Sequence, residues 1–455
     1  MSSSWTLDTE AILGRAIPVR RWRLSNGLRL LCAVDRSAPV IAFQTWFGVG
    51  SRHERPGRTG MAHLFEHLMF NQTESLAPGE YDRVVERTGG ESNAATWVDW
   101  TYYRLSLPAR DLALAVRLES ERMTRLVLDT VPVEAERDVV TNERRERVED
   151  DVDGWLDEQL MARAFDVHPY RWPTIGWMED IRQLPLDDIR AFYRTWYAPN
   201  NAALVVVGDF DEPALLDLVG NAYGGIAPAG LPADEPVIEP PQDGERVVRA
   251  PKPIATDRLL AGYRAPGQGH PDWAVLEMLA TLLAGSPSAR LYRRLVVERE
   301  VASSVDAQLT PFRDPSLFRL AVTVARGHDA DEVLAEIDAA LAELEAAPPA
   351  AAEIAKAKNL AETDLWSSLC DADGKAEALG HHEVALGDFR SLMTLTDRLA
   401  SVSADDVLRA ARQYLVRSAR TVVIAEPDGE IEAEPDEDDG TSGGDGGYLH
   451  GGGVP

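Results

Sequence analysis

Residues 227–245, APAGLPADEPVIEPPQDGE, are dense in Pro, Gly and acids, and beyond them the order of elements that precedes them begins again. A single core does not usually hold 455 residues, so a break of this kind is expected. Ahead of it come two strand-like runs, GLRLLCAV and VIAFQTWFGVG, joined through DRSAP, and then an apolar helix. A period-2 stretch, GGESNAATWVDWTYYRLSLP, follows, with helical patterns over roughly 108–150, broken near Val131-Pro132, and on to about 197, before a closing strand, NNAALVVVGDF. After the break DRLLAGYRAP reads as a strand, DWAVLEMLATLLAG as a helix, VTVARG as another strand and RTVVIAEP as the closing one. Laid on the first half, Val275, Met278 and Leu279 fall about where His63, Glu66 and His67 stand, which makes the second half a structural copy without that polar cluster. The expected organisation is a first domain over 1–228, a linker over 229–245, a degenerate copy over 246–426 and a tail over 427–455.

The polar cluster lies in AHLFEHLMFN, residues 62–71. At 3.6 residues per turn His63 and His67 stand one turn apart on nearly one face, with Glu66 beside them. Leu64, Phe65, Leu68 and Met69 make the rest of the helix apolar. Burying three polar groups there is costly unless they share a partner. A lone histidine in such a helix is usually a satisfied core residue, but two at this spacing, in a chain with 9 histidines, can reach one tetrahedral cation. The order H-x-x-E-H inverts that of the commoner zinc-protease motif.

Net charge of −29 argues against nucleic acid as a partner, since phosphate attracts basic surfaces. Part of that charge is local: ten acidic residues and no Lys or Arg occur from Glu426 to Asp445, ahead of a glycine-rich end expected to be disordered. Cys32 and Cys370 stand in no C-x-x-C context, so neither a disulfide framework nor a thiolate metal site is indicated. No apolar h-region opens the chain and no run of about 18 uncharged apolar residues follows, so the expectation is a protein with no membrane partner, cytoplasmic in location. His168, before Pro169 and Tyr170, reads as part of a fixed turn, and His381-His382 as structural.

Two histidines leave a tetrahedral ion short of a protein ligand. In EAERDVVTNERRERVED, Glu136 and Glu143 lie two helical turns apart and share a face, although spacing alone leaves an ordinary solvated face equally open. H-L-F-E-H, followed 76 positions after its second histidine (67 to 143) by the Glu of ERDVVTNE, closely resembles the pitrilysin-like (M16) metallopeptidase family, whose members include mitochondrial processing peptidase subunits. NAATWVDWTYY resembles the family's substrate-side strand, HPYRWPTIGWMEDI a family turn, and the two-half layout its half-length members. The resemblance implies zinc held by His63, His67 and Glu143, with Glu66 as general base and Glu136 as a supporting acid. It implies α+β domains, each a mostly antiparallel sheet with helices on one face, and an endopeptidase acting on peptides or unfolded polypeptides. It also implies that Asn93, Ala94, Ala95 and Thr96 receive substrate by strand addition at a sheet edge, where small side chains allow a backbone to approach.

Relatives that work alone carry an Arg and a Tyr, seven residues apart, in the second half. The corresponding stretch here, RRLVVEREVASSVDA, has Val296 and Ser303 at those positions. Valine has no donor and serine is too short, so the expected partner is a homologous subunit that lacks H-x-x-E-H and supplies the pair; the alternative is a homodimer that works without it or with a substitute such as Arg290. Two other readings share the fold: a non-catalytic scaffold of the kind found among respiratory-complex core subunits, and a dedicated processing protease.

Overall fold

The computed structural model describes residues 4–429. A seven-stranded sheet is built from β1 (Trp5–Leu13), β2 (Ile17–Leu24), β3 (Arg29–Val34), β4 (Val40–Phe47), β5 (Glu91–Thr96), β6 (Thr101–Pro108) and β7 (Ala202–Gly208), in the order β1-β2-β3-β7-β4-β6-β5. A five-stranded sheet follows from β8 (Arg246–Lys252), β9 (Arg258–Ala265), β10 (Ala302–Leu309), β11 (Ser316–Val324) and β12 (Arg420–Pro427), in the order β10-β11-β9-β12-β8. All neighbours are antiparallel except β3 with β7 and β8 with β12. Read outward from its parallel pair, β3-β7-β4-β6-β5 therefore has the same plan as β8-β12-β9-β11-β10. The helix after β9, Trp273–Ala284, takes the topological place of the helix after β4, Met61–Leu68, and its Val275, Met278 and Leu279 are buried apolar residues. The tail expected from residue 427 lies, from residue 430 on, outside the described residues.

The β1–β2 hairpin, which turns at Gly14 (φ 61°), is an addition to the repeated plan that the sequence did not announce. β1 is an edge strand exposed along most of its length, so it needs no apolar face and carries no alternation to read. β7 shows the opposite case: all seven residues of AALVVVG are buried, which requires cover on both faces of the sheet.

That cover crosses between the halves. On one face of the first sheet Phe43, Leu105, Leu204 and Val206 pack on first-half helices through Phe65, Ala115 and Leu118. On the other, Trp46, Ala203, Val205 and Val207 meet Ala376 and Leu379 of the Ala372–Val384 helix, which belongs to the second half. Reciprocally, Leu156 and Leu160 of the first-half helix Val152–Ala164 pack on Leu260, Leu317 and Val423 of the second sheet. Each sheet thus has its own helices on one face, as expected, and a helix of the other half on the second. Fully buried Glu383 ties the exchange electrostatically, 2.8 Å from Arg21 and 2.9 Å from Arg29.

An ion cluster adds a further bridge. Arg52, nearly fully buried, lies 3.0 Å from Asp99 and 2.7 Å from Asp314, and His168 approaches Asp314 at 3.4 Å. Burial raises the Asp314 carboxyl, but the His168 hydrogen bond and the fields of Arg52 and Arg313 outweigh it and hold the group at about 2. A carboxyl whose folded pKa lies below its ordinary value contributes fully above about pH 4, and its contribution is lost as pH falls through about 2. Asp314→Asn is therefore expected to cost roughly 1 kcal/mol near pH 6, allowing for solvent at a part-exposed group. Urea unfolding of parent and variant should converge toward pH 2; a constant gap would show that the charge does not hold the halves.

Candidate metal centre

Met61–Leu68 begins at Gly60, which has φ 89° and sits so close to the loop before residue 176 that a Cβ there would lie 2.7 Å from the Ile175 carbonyl oxygen. No side chain of the helix's first turn is acidic; the capping comes from Glu54, whose two carboxylate oxygens accept from the Gly60 and Ala62 backbone N–H groups at 2.8 Å each. Burial pushes the Glu54 carboxyl up to about 8 against the pull of those N–H groups. The helix is thereby fixed at the end from which His63 projects.

His63 Nε2 lies 3.7 Å and His67 Nε2 3.1 Å from the same oxygen, Glu143 Oε2, on the Thr130–Arg144 helix. One ligand atom from each of the three residues falls within 4.8 Å of the others. Ligand atoms about 2.0–2.2 Å from a tetrahedral zinc stand about 3.4 Å apart, so this spacing fits one ion. Two unsatisfied oxygens support this: Glu66 Oε2 and Glu143 Oε2 are buried and make no well-formed hydrogen bond. Arg147 engages the other Glu143 oxygen at 3.1 Å, which leaves Oε2 facing the histidines. Glu136 approaches His67 Nδ1 at 3.5 Å and accepts from Asn71 Nδ2 at 3.0 Å, the arrangement that orients a metal-ligating imidazole from behind.

Burial lowers the His63 pKa and favours the neutral ring that binds a cation. At His67 burial acts in the same direction but is overcome by the adjacent Glu136 and Glu143 carboxylates, which push the group up to about 9. The same two carboxylates favour a cation at this place. Glu136 is lowered first by the adjacent His67; Glu143 is lowered too, the imidazoles and Arg147 outweighing its burial.

Asn93, Ala94, Ala95 and Thr96 form the end of β5, which pairs with β6 and with no further strand among the described residues. Asn93 is exposed and Thr96 buried, and Thr96 lines the same cavity as His63 and Glu143. Val296 is half-buried against the second-half core, and Ser303 donates to the Thr323 carbonyl at 3.3 Å, so neither lies at the metal cluster. His168 caps the turn at Pro169–Arg171, while His381 and His382 bond to Gln268 and Ser391. Sequence reading missed Glu54 and also Arg144, which bonds the Gly176 carbonyl at 2.9 Å and Glu158 at 2.6 Å and so anchors the helix carrying Glu143. A Glu ahead of a helix that has no acid in its first turn is the signal that could have found the first; the second has none.

A zinc-type ligand set on two helices stands against a repeated α+β fold, and comparison with known proteins gives the family to which such a site belongs. Residues 30–176 match the family described as Insulinase (Peptidase family M16), and residues 183–361 the Peptidase M16 inactive domain. The chain is 31% identical to the zinc protease PqqE of Helicobacter pylori over 412 residues, 89% of this chain and 92% of that protein. It is 25% identical to the mitochondrial-processing peptidase subunit beta of Blastocladiella emersonii over 424 residues, 91% of this chain and 89% of that one. A crystal structure of a Helicobacter pylori protease superimposes with a TM-score of 0.86 at 30% identity, covering 90% of this chain and 99% of that one. The chain belongs to peptidase family M16.

Proposed function

We propose that this chain is a zinc-dependent endopeptidase for peptides or unfolded polypeptides, carried by one observation: His63, His67 and Glu143 converge on a single ion-sized space with unpartnered Glu66 Oε2 beside them. When bound, the metal supplies the Lewis acidity that polarises a scissile carbonyl and acidifies an attacking water. His63 and His67 hold it as neutral imidazoles and Glu143 as a carboxylate, with Glu136 and Arg147 fixing their orientation. Glu66 accepts the water's proton at its carboxylate and passes it to the leaving amine. The outer edge of β5 offers backbone N–H and C=O groups to an extended peptide, with Asn93, Ala94, Ala95 and Thr96 too small to obstruct it. A scaffold subunit has no use for four such residues in register.

The second subunit belongs to this reading. Arg290, Arg293, Arg294 and Arg299 are each paired with an acid of the second half, Glu353, Glu298 or Glu336, which favours an Arg/Tyr pair supplied by a homologous partner lacking H-x-x-E-H over a substitute in this chain. The test is a mass-spectrometric digest map of peptides by the metal-loaded protein, with and without chelator, alone and with that partner. Chelator-sensitive cleavage is expected, faster with the partner; full activity alone would remove the heterodimer, and no cleavage in either state would remove the peptidase.

Glu143→Gln separates the third ligand from its neighbours. An amide binds zinc more weakly than a carboxylate, so metal content after gel filtration should fall at least several-fold, and activity with it. Full occupancy would move the ligand to Glu136 or Glu146.

A further inference from the structure

The cavity beside His63 and Glu143 has an apolar and aromatic first-half wall that includes Trp97, Val98, Met161 and Trp172, and charged groups at Arg147, Asp157 and Glu158; the other half completes it with Phe312, beside Thr310 and Arg319. The Phe312 ring stands 5.7 Å from Trp97, nearly perpendicular to it, and 4.6 Å from Tyr170. The turn that carries it, between β10 and β11, is held within its own half at Phe312, whose carbonyl accepts from Gln268 N at 2.8 Å, and is tied to the first half at the next two residues. Arg313 N donates to Asp99 Oδ2 at 2.9 Å, Asp314 N to the Tyr170 hydroxyl at 3.1 Å, and the Asp314 carboxylate pairs with Arg52 and meets His168. Tyr170 in turn donates to Asp99 at 2.7 Å. The ion cluster thus does more than join the halves: it sets the place of an aromatic wall in a cavity that opens on the metal ligands.

We propose that Phe312 is a specificity-determining residue, held in place by Arg52, Asp99 and Asp314, and that through it the metal-free half makes the cavity a pocket for one bulky apolar side chain of a polypeptide substrate. The second half then has a role in substrate choice although it carries no ligand. Trp97, Tyr170 and Phe312 supply aromatic faces and edges for the guest, and filling an apolar pocket discriminates by roughly 10- to 200-fold per methylene-sized difference. This rests on the peptidase reading above.

The test uses zinc-loaded Glu66→Gln protein and labelled peptides in a Gly/Ser background with one variable residue: Ala, Leu, Phe or naphthylalanine. Affinities are read by fluorescence anisotropy, and cleavage maps are taken in parallel with an active Glu66. Phe is expected to bind more tightly than Ala in the parent. Phe312→Ala should shift the ranking toward naphthylalanine over Phe by roughly tenfold. Asp314→Asn, which keeps the shape of the turn, should reduce the Phe-over-Ala preference several-fold with metal content unchanged. Should Phe312→Ala fail to fold, Phe312→Leu and Asp314→Asn carry the test. An unchanged ranking in folded, metal-loaded variants overturns the proposal. A shifted ranking in a protein that cleaves nothing supports the pocket and rejects the peptidase, so the two failures are distinct.

Discussion

Glu66→Gln protein is expected to carry zinc at the parent level and to lose peptide hydrolysis by roughly 10²- to 10⁴-fold or more. The substitution keeps the volume of the side chain and removes its ability to accept a proton. Metal content should not move, because the three ligand atoms that converge belong to His63, His67 and Glu143, and Glu66 Oε2 is a buried oxygen outside that set. The measurement is kcat/KM on a cleaved peptide beside the metal-to-protein ratio. Retained hydrolysis would remove Glu66 as the base; joint loss of metal and activity would make it a ligand or a structural support. Glu143→Gln has the complementary signature, losing both, so the two variants together separate proton transfer from metal binding.

The site was legible wherever local geometry fixes it. His63, Glu66 and His67 share one helix, and helical spacing alone brings them together. Glu143 stands 76 residues after His67 on another helix, and no periodicity says which two helices meet; resemblance to a known family was needed to choose it. Glu54, Arg144 and Phe312 were invisible for the same reason in stronger form. Their roles arise from contacts between distant segments, and the side chains involved are ordinary ones with many solvated uses. The repeated strand order was legible in outline because β4, β7, β9 and β12 are buried on both faces along most of their length and so carry mostly apolar runs. β1 is an edge strand exposed along most of its length, and β8 an edge strand with exposed alternate residues whose pattern is diluted by charge.

The exchange of helices between halves was the least legible element, since an amphipathic pattern shows that a helix buries a face without naming the sheet. One residue did hint at it. Gly380 stands inside the Ala372–Val384 helix, where glycine costs about 1 kcal/mol against alanine and therefore needs a packing reason. The reason is Trp46: a Cβ at Gly380 would lie 2.1 Å from the indole Nε1 and 2.3 Å from Cε2. The indole has nowhere to go. It is fully buried, stacked 4.3 Å from Tyr102, 5.1 Å from Trp100, and its Nε1 donates to Gln44 at 2.9 Å. Gly380→Ala is accordingly expected to reverse the usual sign of a helical Gly-to-Ala change and to destabilise by roughly 2–3 kcal/mol. Lifting the helix also draws Glu383 away from Arg21 and Arg29 and leaves buried charges unpaired, which adds to the cost. Chemical denaturation followed by tryptophan fluorescence measures it. If the exchanged helices make the halves one cooperative unit, the variant unfolds in a single transition at lower denaturant; two separated transitions would show that each half holds without the other's helix, and an unchanged or raised midpoint would mean that the helix does not rest on Trp46.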